Sequence, residues 1–365
     1  MYSAPSPVIP RQRHRPGGPQ GAAVDEPARG RRATLPPAGR LDLSGERGER
    51  LRAALASVHG ICPEFTPVQL LRDGAEAVVL AGTTGRRAVV AKCLPEAAGP
   101  GAETLRREIA AHRGFVRHRP PVRVPRLIAD DPYGCVLVTE QVAGRTATRR
   151  PPAPGPPATE LRTVVSAVCR LNTWRPPEGT FPEAVNYPAQ LARYHALGLL
   201  TDRDASDLRA LLRALGPRGR GQPPRQFCHG GALPGDVLLS PGGPVVLGWG
   251  QAGWYLPGYD LATLWAALPH APGTRRLISQ TAKAAGPLGP EAFLVNLMLV
   301  LTRQIRQCEE SVQRAIRHPA SALAGEPERA AGGLSYGERR RRLLRRLYED
   351  WSVARRAVRA AVGAR

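Results

Sequence analysis

The chain has 365 residues, which is enough for two domains or for one large domain with two lobes. Its formal net charge is +22, and nearly all of the positive charge is arginine, because Lys92 and Lys283 are the only lysines. The six cysteines stand singly, without zinc-site spacing, and no apolar run approaches the ~20 residues that span a bilayer, so a zinc centre and a transmembrane segment are excluded.

The arginine bias accompanies abundant Ala, Gly and Pro, as in a high-GC coding background, so nucleic acid is not the partner that we expect. No apolar segment of the signal-peptide type follows Met1, and a cytoplasmic protein is the expectation. Residues 1 to about 45 are rich in Pro, Gly and Arg and lack periodicity, which predicts a disordered basic tail. From Glu46 to His59 apolar residues recur at helical spacing and predict a first helix.

Short apolar runs follow, each bounded by turn signals such as Asp73-Gly74 and Gly82-Thr-Thr-Gly85. The predicted strands are 68–71, 77–80, 87–94, 126–129 and 135–139. A helix is predicted over 102–115, between the third and fourth strands. These elements indicate a small antiparallel β-sheet lobe with one main helix, the N-lobe, over residues 46–145.

A Pro-rich stretch at 150–157 marks a connection, and the chain beyond it is mostly helical. The predicted helices are about 159–174, 188–198, 202–215, 258–268, 274–285, 290–317 and 337–362. The exception is a β-hairpin, in which 237–239 and 245–247 flank a turn at 240–243. We therefore predict an α+β, bilobal fold, with a larger helical C-lobe over 146–335 and a basic amphipathic helix over 336–365.

Lys92 ends an apolar strand in the sequence Val89-Val-Ala-Lys92, and Glu108 lies on the next predicted helix. This is the order in which protein kinases place the lysine that contacts the nucleotide phosphates and the carboxylate that pairs with it. Neither lysine lies in a GxxxxGK[ST] sequence, so a P-loop enzyme is excluded. The alternative is that Lys92 is only a charge at a strand end.

The second half carries three segments in order. They are His229-Gly-Gly-Ala-Leu-Pro-Gly-Asp236, Val245-Val-Leu-Gly-Trp249 and Gly258-Tyr-Asp-Leu-Ala262. The set resembles the HGDxxPxNxL loop, the IDW-type metal strand and the DLA helix start of the aminoglycoside phosphotransferases and related small-molecule kinases. The resemblance covers most of residues 65 to 310 and implies a bilobal, protein-kinase-like fold.

The resemblance implies roles for particular positions. His229 opens the catalytic loop, Gly231 stands at the position of the catalytic base, and Asp236 stands where the family has a magnesium-binding asparagine. Gly248 occupies the position of the metal-binding aspartate, and Asp260 matches the aspartate that steadies the loop. Both the base and the metal aspartate are thus replaced by glycine, and no other carboxylate lies between His229 and Asp236 or between Asp236 and Asp260.

Two further segments are candidates for nucleotide contacts. The stretch Val138 to Val142, which contains Glu140, resembles the hinge that passes the adenine. Gly74 lies where a glycine-rich loop would cover the phosphates, although a plain hairpin turn explains a single glycine equally well.

The favoured interpretation is a kinase-like pseudoenzyme that binds a nucleotide or small molecule weakly or acts through a protein partner. A second is an active phosphotransferase that uses ATP and magnesium on a small-molecule hydroxyl, with Asp236 holding the metal. A third is a scaffold without a cofactor, which binds a protein partner through its basic termini. The arginines from Arg339 to Arg359 are expected to form the solvated face of an amphipathic helix, an anionic membrane surface, acidic partner or nucleic acid being the alternatives.

Overall fold

A β-rich part and a helical part make up the secondary structure of the computed structural model, which describes residues 41–74, 77–94, 97–148, 156–216, 224–286, 288–317 and 336–364. The strands are β1 (Phe65–Asp73), β2 (Val78–Thr84), β3 (Arg87–Cys93), β4 (Leu127–Asp131), β5 (Val136–Glu140), β6 (Arg145–Thr146), β7 (Gln226–Cys228), β8 (Val237–Ser240), β9 (Gly243–Val246) and β10 (Gly253–Tyr255). The helices are α1 (Gly45–Ile61), α2 (Gly99–Arg117), α3 (Ala158–Asn172), α4 (Tyr187–Ala196), α5 (Asp202–Leu215), α6 (Tyr259–Ala267), α7 (Pro272–Ala284), α8 (Gly289–Arg317) and α9 (Tyr336–Gly363). The α+β class and the kinase-like arrangement predicted from the sequence are confirmed.

The first five strands form an antiparallel sheet in the order β1-β2-β3-β5-β4. Because side chains alternate between the two faces of a strand, neighbouring residues of β5 belong to different layers. Val136 and Val138 pack with α1, whereas Leu137 packs with α2. Each face of the central strands is therefore covered by a helix, and the long apolar runs of the sequence reflect this double burial.

The turn that the sequence predicted at residues 82–85 lies slightly later in the structure. Gly82, Thr83 and Thr84 continue β2 and pair with β3, so the chain reverses at Gly85 and Arg86. A side chain at Gly82 would collide with the ring of Phe65 and the carbonyl oxygen of Thr66. That glycine permits close packing of β1 on β2 and does not form the turn.

The helical part is built around α8, whose neighbours include α5, α6, α7 and α9. Its core contains Leu347, Ala354 and Val358 of α9, so this helix packs its apolar stripe on the core as expected. Asp350 of α9 is almost buried and accepts two hydrogen bonds from Arg275 of α7, at 2.6 and 2.7 Å. No helix among the described residues is long and apolar enough to cross a membrane.

The predicted motifs lie on or next to two small β-sheets in the helical part. The hairpin β8–β9 was predicted, and β6 extends it as an edge strand. The antiparallel pair β7–β10 was not predicted, because three-residue strands leave no readable periodicity. The predicted tail, apart from residues 41–45, and most of the Pro-rich connection lie outside the described residues.

Candidate functional site

The ion pair predicted between Lys92 and Glu108 is present, with Lys92 Nζ donating to Glu108 Oε2 at 2.6 Å. Ala91 and Cys93 of β3 point into the core beneath α1, so the alternation of the strand directs Lys92 to the opposite face, where α2 lies. The Glu108 side chain is only 8% exposed, whereas that of Lys92 is 32% exposed. The carboxylate thus fixes an ammonium group that solvent or a ligand can still reach.

The loop that follows β7 is held by one buried carboxylate. Asp260, at the start of α6, is completely buried and accepts hydrogen bonds from the backbone N–H groups of His229 and Gly230, at 2.8 and 2.9 Å. It also accepts from Asn172 Nδ2 at 3.0 Å, and Asn172 donates in turn to the carbonyl of Phe227. Asp260 therefore holds the first two residues of the loop, as the resemblance implied.

His229 fastens the other side of the loop. Its Nε2 donates to the carbonyl oxygen of Leu247 at 2.7 Å, and its ring packs edge-on against Trp249. The residue is only 2% exposed, and its Nδ1 has no hydrogen-bond partner among the described residues. The ring of His229 is therefore buried and ties the loop to Leu247 and Trp249.

Gly230 and Gly231 are adjacent but serve the loop differently. Gly230 has φ of +83°, and a Cβ there would lie 2.0 Å from the carbonyl oxygen of Gln251 and 2.3 Å from the hydroxyl of Tyr255. At Gly231, the predicted base position, a Cβ would have no atom within 4 Å. Glycine is therefore required at the first position, whereas at the second a longer side chain would fit and none is present.

Gly248 and Asp236 face each other across the short β8–β9 hairpin. The backbone N–H of Leu247 donates to the Asp236 carbonyl at 2.8 Å, and a Cβ at Gly248 would lie 3.5 Å from Asp236 Oδ1. The two predicted metal positions are thus neighbours in space, but only one of them carries a carboxylate. Gly248 has φ of +77°, a conformation that aspartate and asparagine tolerate better than most residues.

Burial raises the pKa of the Asp236 carboxyl, and the charge of Glu108 adds to that rise. The nearby His229 and the hydrogen bond from the Leu233 N–H to Oδ2 oppose it. Among the described residues no group of three or more His, Cys, Asp or Glu side chains could enclose a metal ion. Mg²⁺ is commonly held by one or two carboxylates together with substrate phosphates, so Asp236 fits a single cation only when phosphates complete its shell.

The hinge segment leaves β5 beside β3. Glu140 is the last residue of β5, its N–H donates to the Arg126 carbonyl, and the N–H of Gln141 donates to the Ala88 carbonyl. The N–H of Val142 donates to no acceptor among the described residues. A free backbone donor at this point is the kind of group that could meet a purine edge.

Gly74 lies in a tight hairpin between β1 and β2, where its N–H and carbonyl exchange hydrogen bonds with Ala77 at 3.0 and 3.3 Å. Its carbonyl also accepts from Arg50 of α1. Lys92, Ala77 and Arg72 line one small cavity of about 170 Å³ beside this hairpin. The chain on both sides of Gly74 therefore lies next to the lysine.

Sequence reasoning missed Asn172 and Tyr255, the two side chains that complete the support of the loop. Asn172 is separated from Asp260 by 88 residues, and Tyr255 reaches Gly230 from the unpredicted strand β10. Asn172 ends a helix, where a polar residue is ordinary, and Tyr255 sits in an aromatic-rich stretch. Neither position carried a signal that distinguishes a support residue from an ordinary one.

Comparison with known proteins matches residues 67–293, which is more than half of the chain, to the model of the phosphotransferase enzyme family. No curated protein matches the sequence. A choline/ethanolamine kinase family protein from Mesorhizobium loti has 17% identity and a TM-score of 0.54, over 85% of this chain and 99% of that one. Choline kinase LicA from Streptococcus pneumoniae has 14% identity and a TM-score of 0.52, over 84% and 99%. Aminoglycoside phosphotransferase APH(4)-Ia has 14% identity and a TM-score of 0.48, over 86% and 98%.

Proposed function

Since the chain belongs to the phosphotransferase enzyme family, we propose that it is a kinase-like pseudoenzyme, which binds a nucleotide beside Lys92 and transfers no phosphate from it. One observation carries the proposal. The residues that would hold a nucleotide and shape the loop are in place, whereas positions 231 and 248 carry no side chain.

The binding half of the proposal rests on Lys92, Glu108 and the hinge. An ammonium group held 2.6 Å from a buried carboxylate is fixed in position and suits the α/β-phosphates of a nucleotide. The free N–H of Val142 and the backbone around Glu140 would meet the base. Gly74 and its hairpin would lie near the phosphates.

The second part of the proposal, that no phosphate is transferred, rests on the glycines at positions 231 and 248. A positioned general base contributes about 10²–10⁴-fold to rate, and Gly231 leaves open space where that base would act. Gly248 removes a second carboxylate from the place where charge on the transferring phosphate must be neutralised. Water cannot replace these groups, because the catalytic effect of a charge depends on its being oriented before the reaction begins.

The test is isothermal titration of the full chain with ATP, with and without Mg²⁺, together with an assay of labelled phosphate release and transfer. We expect saturable ATP binding, loss of at least about tenfold in affinity for Lys92→Ala, and turnover at background. Lys283→Ala is the matched control, because Lys283 is the only other lysine and lies exposed at the end of α7. Absence of ATP binding to the wild-type chain would refute the proposal and leave the scaffold interpretation.

A second candidate function is an active, magnesium-dependent O-phosphotransferase acting on a small-molecule hydroxyl. It is favoured by one observation, the position of Asp236 Oδ1 at 3.5 Å from the point where a Gly248 side chain would begin. One carboxylate therefore remains at the metal position. ATP-dependent transfer that Lys92→Ala abolishes would establish this alternative, and Asp236→Ala would then be the first variant to test.

A further inference from the structure

A cavity of about 400 Å³ lies in the helical part, at the start of β7 and between the ends of α4 and α5. None of Lys92, Gly231, Asp236 and Gly248 lines it, so it is separate from the candidate nucleotide site. Its volume falls in the range of about 300–1,000 Å³ that small-molecule sites occupy.

The chemistry of the walls is mainly apolar. Val185 precedes α4, Leu212 lies on α5, and Trp254 on β10 adds a partly exposed aromatic surface. A larger cavity at the end of α8 is lined mainly by Arg, Glu and Gln side chains. The cavity at β7 therefore offers a ligand more apolar surface to bury than that larger cavity does.

The floor of the cavity is rigid. The hydroxyl of Tyr187 donates to Asn296 Oδ1 at 2.7 Å and accepts from the Leu256 N–H at 3.0 Å, and both Tyr187 and Leu256 line the cavity. Tyr255, also in the lining, donates to the Gln251 carbonyl at 2.7 Å. These bonds hold the two tyrosine rings in place on this side of the cavity.

One polar feature limits what would bind. Glu183 and Arg225 line the cavity and form an ion pair with each other, so neither sign of charge is favoured in a ligand. An uncharged ligand would leave that ion pair intact.

We propose that this cavity is a second ligand site, for an uncharged, apolar, ring-bearing small molecule that packs against the aromatic surface of Trp254. The site is independent of whether a nucleotide binds at Lys92. Tyr255 joins the two regions, because its ring lines the cavity and its hydroxyl touches Gly230.

The test uses prodan, an uncharged naphthalene with a ketone oxygen, whose emission shifts to the blue in apolar surroundings. With the full chain we expect saturable binding at one site, with energy transfer from tryptophan to the probe. Val185→Phe and Leu212→Phe fill the cavity from two sides and should each weaken binding about tenfold or more. Val116→Phe is the matched control, because Val116 is 64% exposed on α2 and far along the chain from the cavity.

Trp254→Phe keeps an aromatic wall but reduces the area that the ligand can contact, so it should weaken binding about threefold or more and reduce the energy transfer. Thermal melting of each variant establishes that it folds. If both Val185→Phe and Leu212→Phe fail to fold, Trp254→Phe remains as the variant that tests the proposal. Non-saturable binding to the wild type, or equal affinity of the cavity variants and Val116→Phe, would overturn the proposal.

Discussion

In the loop that follows β7, some residues are held tightly by the surrounding structure, whereas the next residue is not. His229 and Gly230 are tied by their backbone N–H groups to the buried Asp260, and Gly230 fits against Tyr255 with no room for a side chain. The next residue, Gly231, has open space around it. The shape of the loop and the chemical groups that the loop would present are therefore separable properties. The first is built into the core, and the second depends on side chains that can be lost without disturbing it.

The largest effect is expected from Asp260→Ala. Removal of the carboxylate leaves the N–H groups of His229 and Gly230 buried without a partner and takes away one of the two hydrogen bonds of Asn172 Nδ2, so the free energy of unfolding should fall by about 3–5 kcal/mol. Urea denaturation measures it. Asp202→Ala is the control, because the Asp202 side chain is 99% exposed and its pairing with His195 is worth little. Equal losses for the two variants would contradict the role assigned to Asp260.

The adjacent glycines give a direct comparison within the loop. Gly230→Ala should lower the free energy of unfolding by about 3 kcal/mol, because the new methyl group would collide with Gln251 and Tyr255 at a positive φ. Gly231→Ala should change it by less than about 0.5 kcal/mol. The same denaturation experiment measures both, and a large loss for Gly231→Ala would show that this residue is not in open space.

The two predicted catalytic positions should respond differently to the return of a carboxylate. Gly231→Asp should leave stability almost unchanged, whereas Gly248→Asp should cost about 1–2 kcal/mol in the absence of metal, from its positive φ and from repulsion by Asp236. Mg²⁺ with a nucleotide should recover part of that cost. Thermal shift with and without Mg²⁺ checks this, and Gly248→Asn, which lacks the charge, is the control. A Gly248→Asp protein that ignores the metal would show that positions 236 and 248 do not share a cation.

The smallest effect is a pH dependence at His112, one turn after Glu108 on α2. Burial lowers the pKa of His112 below its ordinary value of about 6.5, although Glu108 opposes the shift. The unfolded chain then binds the proton more tightly, so stability is lost as the pH falls below about 6.5, until the lower pKa of the folded state is passed. His112→Gln should flatten the stability profile in that window, whereas His270→Gln, at an exposed position, should leave the slope unchanged. Parallel profiles for all three proteins would contradict the burial argument.

Much of the site could be predicted because strand alternation and helical periodicity, which act over a few residues, set the positions of its side chains. The alternation of β3 sends Lys92 to the face opposite Ala91 and Cys93, and the helical period of α2 brings Glu108 to meet it. The catalytic roles inferred for Gly231, Asp236 and Gly248 remain predictions, as do the nucleotide contacts of Glu140 and Val142. The turn at residues 82–85 was wrong because a glycine that permits close packing of strands has the same appearance in sequence as one that permits a turn.

The sequence by itself determined the fold class, the order of the helices and of the strands other than β6, β7 and β10, and the pairing of Lys92 with Glu108, because periodicity and turn chemistry act between residues close in the chain. Only the tertiary structure decided that Asn172 completes the support of Asp260, since the two are 88 residues apart. It also decided that glycine is obligatory at 230 and optional at 231, because the available space depends on atoms from distant elements. Burial and steric room are properties of the assembled core, and no local pattern encodes them.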